Sequence, residues 1–186
     1  LYTLRARGPA ITQAVQSHIS NTMNKVYGAT GRQDGLYNIG KNKWELIYGF
    51  GKDNAEDATG WNYRQRFSAK PTEEEILAII TAQINADTDE KILRGFKWAD
   101  KPVKIDNETQ SNITGVMANL SYLPAEAFPL EFKLGEYPDG TPSFHDFASA
   151  EEFSQFSVAG VAFKQQCYKE GWLAIQELDK IDFTEQ

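Results

Sequence analysis

The chain opens on alternation. Tyr2, Leu4 and Ala6 are separated by Thr3, Arg5 and Arg7, a period of two that predicts a strand, and Gly8-Pro9 stops it. From Pro9 to Tyr27 the period changes. Ile11, Val15, Ile19, Met23 and Val26 recur at spacings of four and three, which predicts one face of a helix with Pro9 at its start and Gly28 at its end. Gly31 to Gly40 is rich in turn residues. Lys43 to Phe50 and Trp61 to Phe67 then read as strands, joined by the glycine-bounded acidic stretch Gly51 to Gly60.

Pro71-Thr72-Glu73-Glu74-Glu75 marks the clearest boundary. Thr72 and Glu75 have the spacing of a capping box, and three glutamates stand where a helix dipole favours negative charge. Ile76, Leu77, Ile80 and Ile84 supply the buried stripe of that helix. Asp87 to Glu90 are either an interruption or its solvated face. Phe96-Lys97-Trp98 and Val103-Lys104-Ile105 alternate about Ala99-Asp100-Lys101-Pro102 and read as a hairpin. Asp106 or Asn107 caps a second helix bearing Ile113, Val116, Met117 and Leu120. A second hairpin joins Leu130–Leu134 to Ser143–Phe147 across Tyr137-Pro138-Asp139-Gly140. Ser149 and Glu152 then form another capping box, opening a long helix with Phe153, Phe156, Gly160, Phe163 and Cys167 on one stripe. Trp172, Ile175 and Leu178 continue the apolar content on a shifted stripe, which predicts that they reach a partner or a second copy.

These elements predict an α+β chain of two modules. Residues 1–70 form a strand–helix–hairpin module, and residues 71–186 a helix–hairpin–helix–hairpin–helix module. No repeat of fixed period and no low-complexity tract is present.

Charge sharpens the division. The net charge is −7, which argues against broad binding to a phosphate backbone. Residues 1–70 carry ten Lys or Arg and five Asp or Glu; residues 71–186 carry nine and twenty-one. Such asymmetry either steers neighbouring molecules or reflects two differently solvated surfaces. No apolar run approaches the length of a membrane span. Arg5 and Arg7 are not followed by an apolar segment, so no signal peptide is expected there. The lone Cys167 cannot form an internal disulfide and reads as a buried structural thiol, in keeping with folding in the cytoplasm.

Candidate chemistry is sparse. His18 and His145 are the two histidines, and with one cysteine no structural zinc site can be assembled. His145, between Phe144 and Asp146, is a general-base candidate set against a hydrogen-bonded structural role. The glycine-rich run Gly28 to Gly35 lacks the Gly-Lys-Ser/Thr ending of a phosphate loop. Gly-x-Ser-x-Gly, His-Glu-x-x-His and an EF-hand loop are absent. Most carboxylates sit in helix first turns, where capping accounts for them. Trp61, Tyr63 and Phe67 alternate with Arg64 and Arg66, which puts rings and guanidinium groups on opposite strand faces. That favours a buried aromatic face over a stacking platform for single-stranded nucleic acid.

Several segments together carry a family resemblance: Lys43-Trp44-Glu45-Leu46-Ile47-Tyr48-Gly49, Lys70-Pro71-Thr72-Glu73-Glu74-Glu75-Ile76, Ile92-Leu93-Arg94-Gly95-Phe96-Lys97-Trp98, Asn107-Glu108-Thr109-Gln110-Ser111-Asn112 and Gly140-Thr141-Pro142-Ser143-Phe144-His145. The chain resembles a protein family of bacteriophages and prophages, especially those of Bacteroides-type gut bacteria, found in tail or tail-fibre regions. The likeness spans nearly the whole chain and is strongest from Lys70 onward. Val103-Lys104-Ile105-Asp106 departs from the Val-Trp-Leu-Ser that the family often shows there. The resemblance implies a virion or tail-associated structural or adaptor protein acting through protein contacts. The alternatives are a non-virion helper of tail-fibre assembly and, third, a carbohydrate-active enzyme. The leading reading is not an enzyme and has no catalytic, cofactor-binding or metal residues and no cofactor. Its partners are other phage structural proteins or copies of itself, without nucleic acid, membrane or small-molecule ligand. It places the chain in the host cytoplasm during assembly and then in the virion, with Trp172, Ile175 and Leu178 as the candidate contact residues.

Overall fold

The computed structural model describes residues 23–183. Its elements are β1 (Asn24–Ala29), β2 (Gly35–Gly40), β3 (Lys43–Gly51), β4 (Gly60–Phe67), α1 (Glu73–Arg94), β5 (Phe96–Trp98), β6 (Lys101–Val103), α2 (Asn107–Asn119), β7 (Leu130–Glu136), β8 (Pro142–Phe147) and α3 (Ala150–Gln176). Short 3-10 turns follow α2 and α3.

This corrects the expected fold class. The described chain opens on a four-stranded antiparallel sheet of order β1-β4-β3-β2, not on a strand–helix–hairpin module. A helix, further strand pairs with α2 between them and a C-terminal helix follow it. The expected strand Tyr2–Arg7, most of the helix Pro9–Tyr27 and His18 lie outside the described residues. The end of that helix is β1, where Asn24 pairs with Arg64 and Tyr27 with Trp61. Within the described residues the last position of that helical spacing, Val26, pairs instead with Asn62 of β4, a long-range ladder that local periodicity does not register. The turn-rich stretch Gly31–Gly40 likewise contains β2. A two-residue turn at Lys41-Asn42 folds it onto β3, with Asn42 in the left-handed region at φ 54°.

Two compact units divide the described chain within α1. One comprises residues 23–83 with 180–183, and the other residues 84–179. In the first, cross-strand pairing puts Leu36, Trp44, Leu46, Tyr48 and Tyr63 on one buried sheet face. The opposite face holds Glu45, itself buried, between Arg64 Nη1 at 3.3 Å and Arg66 Nε at 2.8 Å. A carboxylate so placed is tolerable because charged donors replace its water. The start of α1 is closed reciprocally. Glu75 N–H donates to Thr72 Oγ1 (3.2 Å), and Thr72 N–H donates to Glu75 Oε2 (2.8 Å). Asp87 to Glu90 do not interrupt α1, which runs unbroken for 22 residues.

In the second unit α1 ends at Gly95, whose φ of +74° suits glycine. A Cβ there would stand 1.7 Å from Val103 O, so the close approach of β6 also requires glycine. The first hairpin turns more tightly than the sequence suggests. Ala99 and Asp100, both at positive φ, form the turn, so β6 is Lys101–Val103 with Pro102 inside it. Proline is admissible at such an edge. Lys104 N–H then donates to Leu134 O at 2.9 Å and ties this hairpin to β7. The core is aromatic: Phe132, Phe147, Phe153 and Phe156 are buried and meet edge-on or tilted, with ring centroids 4.8 Å apart for Phe147 and Phe153 and 5.4 Å for Phe132 and Phe153. Such ring pairs each add about 0.5–1.5 kcal/mol beyond area burial.

Candidate functional site

The site is built on α3, and its first turn is fixed before anything else. Glu152 N–H donates to Ser149 Oγ at 3.2 Å, and the Glu152 carboxylate reaches back to Ala148 N–H at 2.7 Å. Its other oxygen lies 2.8 Å from His145 Nε2 on β8. Bonded first to the His145 ring and then to the Ala148 N–H, the Glu152 carboxyl is held below its ordinary value. His145 thus joins a strand to a helix start. Ser143, two residues before it, is buried, and its Oγ has no hydrogen-bond partner among the described residues, so the strand forms no serine–histidine pair.

From this anchored start α3 presents two apolar stripes. Phe153, Phe156, Gly160, Phe163 and Cys167 run at spacings of three and four into the core. A second stripe, Val158, Val161, Gln165, Tyr168, Trp172 and Ile175, has the same spacing. At 3.6 residues per turn the stripes lie about 130° apart. Val158, Val161 and Trp172 are 66%, 59% and 67% exposed. Large apolar side chains exposed in a row mark an interaction surface more often than scattered ones do.

Two cavities lie end to end along this second stripe and share Gln165 and Tyr168. One, of about 590 Å³, lies between α3 and α2, with Ile113 and Met117 on its α2 wall. The other, of about 400 Å³, is lined by Asn85 and Thr88 of α1 and by Trp172 and Ile175. Gly171 sets the second wall: a Cβ there would come within 2.4 Å of Thr88 Oγ1, so the helices approach closely because glycine is present. Lys164 Nζ donates to Gln110 Oε1 at 2.7 Å across the first cavity. Behind the groove Lys91 and Glu170 are ion-paired. Burial pushes the Cys167 thiol up, against the lowering effect of Lys91, and so disfavours its thiolate.

The family described as a domain of unknown function, DUF4376, matches residues 75–185. The chain belongs to that family. The DUF4376 region starts in the first turn of α1 and contains both cavities and all of α3. No curated protein and no solved structure matches the chain.

Of the three contact residues expected from sequence, the DUF4376 region brings Trp172 and Ile175 together in the second cavity. Leu178 does not join them; it is 3% exposed, in the 3-10 turn after α3. Val158, Val161 and Tyr168 on α3 were missed as surface residues; Ile113 and Met117 on α2, expected on its buried side, are half-buried against the core and also line the first cavity. The spacing of 158, 161, 165, 168, 172 and 175 was the available signal, overshadowed by the phenylalanine stripe. Among the described residues no group of three or more His, Cys, Asp or Glu could hold a metal ion, and no helix is long and apolar enough to cross a membrane. The glycine-rich run near the start serves the first sheet: Asp34 Oδ1 accepts from Gly49 N–H at 2.7 Å while its other oxygen meets Arg32 Nε. Tyr63 is buried and Arg64 and Arg66 lie on the other face with Glu45.

Proposed function

We propose that this DUF4376 protein is a phage virion or tail-associated structural or adaptor protein, acting through protein contacts in which α3 receives a helix of another virion protein. The observation that supports the reading is the exposed stripe of α3 with its two continuous cavities. An apolar surface repeating every three or four residues fits a helix better than it fits a polar substrate. The placement in a phage tail rests on the sequence resemblance.

Mass spectrometry of purified particles tests it. The expected result is that peptides of this chain persist in particles through gradient purification and high-salt washing, at a fixed ratio to a tail protein. Abundance in the infected-cell lysate with absence from particles would overturn the virion assignment in favour of an assembly helper.

A further inference from the structure

The groove on α3 differs in charge from the segment that builds it. Residues 71–186 carry nine Lys or Arg against twenty-one Asp or Glu. Yet the charged side chains lining the two cavities, among the described residues, are Lys164 and Lys169, with no carboxylate. On the helical wheel these lysines fall on either side of the exposed stripe, each about 70° from its centre. Lys164 is held across the first cavity by Gln110. We propose that the groove binds an amphipathic helix of another protein that is apolar on its buried face and acidic along its flanks. This rests on the protein-contact reading above and specifies the partner.

The length and pattern of the groove define the ligand further. Ser157 to Ile175 spans about 27 Å of α3, enough for a partner helix of about five turns. Apolar anchors on that helix at spacings of three and four meet Val161, Tyr168 and Trp172, and carboxylates outside them reach the lysines. A second copy of this chain fits poorly. Docked stripe to stripe, it would bring its own Lys164 and Lys169 against those of the first, and like charges at a seam select against pairing.

Two fluorescent 18-residue helical peptides test the assignment, with identical apolar positions at heptad spacing and flanks made of glutamate in one and lysine in the other. By fluorescence anisotropy, the glutamate-flanked peptide is expected to bind the full chain at least about tenfold more tightly. K164E/K169E should invert the preference, and the neutral K164Q/K169Q should abolish it if the charge-reversed variant fails to give a cooperative melt. Equal affinity for both peptides, no binding of either, or an unchanged preference in the variants would overturn the proposal. So would a dimer of the chain alone, seen by sedimentation, that Val161→Glu dissociates, because the groove would then belong to a second copy. The two readings fail separately. Absence from particles leaves peptide discrimination standing, and loss of discrimination leaves particle membership standing.

Discussion

The two stripes of α3 share a helix, a spacing and an apolar character, and they meet opposite fates. Phe153 and Phe156 are fully buried among Phe132 and Phe147, while Val158, Val161 and Trp172 face outward. The difference lies in what stands opposite. The β7–β8 hairpin brings rings to the first stripe, whereas α2 and α1 flank the second and leave a trough. A heptad pattern therefore establishes that a helix has an apolar face, and the rest of the fold decides whether that face is core or contact surface.

Substitutions can break this contrast at graded strength. Phe156→Ala has the largest expected effect, because it opens a cavity at a fully buried ring that touches Trp98, Phe132, Phe147 and Phe153. A loss of about 3–5 kcal/mol in chemical denaturation is expected. Gly171→Ala comes next. Its Cβ would overlap Thr88 Oγ1, and overpacking of that kind costs about 1–3 kcal/mol. Alanine also gains about 1 kcal/mol of helix propensity over glycine. In the Thr88→Ala background, therefore, the same change should become stabilising, and a double-mutant cycle that finds the two sites additive would refute the close approach.

Ser149→Ala is expected to cost about 0.5–2 kcal/mol through the lost cap. The starts of α3 and α2 should both respond to acid. Glu152 is held below its ordinary value by His145 and Ala148, and Asp106 below its own by the Thr109 N–H and Lys104. A carboxyl lowered in the folded state contributes stability that is complete above its unfolded value, about 4 to 4.5, and is lost as pH falls through the folded value. Thermal melts from pH 6 downward should thus lose stability below about pH 4.5, more steeply in the wild type than in Glu152→Gln. A parallel decline in the two proteins would count against this origin.

Trp172→Ala has the smallest expected effect on folding, within about 0.5 kcal/mol, because the ring is largely exposed. Its effect should appear instead as weaker binding of the glutamate-flanked peptide. A stability loss comparable to that of Phe156→Ala would erase the distinction between the two stripes.

What could be read from the sequence follows from the range of each interaction. The Thr72–Glu75 and Ser149–Glu152 boxes close over three residues, so the residues that make them also announce them. β1 was hidden because its ladder to β4 joins Asn24 to Arg64, and a helical period happened to overlie it. β2 was hidden by composition, since Gly35, Asn38 and Gly40 signal turns and only Leu36 is deeply buried at its apolar face. Trp172 and Ile175 could be singled out from their apolar character. Val158 and Val161 lie on the same spacing, but that signal was overshadowed by the phenylalanine stripe, and spacing alone does not tell which apolar face the fold covers. Leu178 resembles them in sequence but lies in a tighter turn that buries it.

Cys167 offers a use for this geometry. It is the one cysteine in the chain, and it lies 2% exposed at the end of the phenylalanine stripe. A thiol-reactive dye added to the native protein can therefore label one atom, and only while the packing around it is transiently open. The labelling rate is then a stopwatch for the breathing of α3, read without introducing a probe or replacing any residue. A helix seated in the groove on the other side should lengthen its ticks.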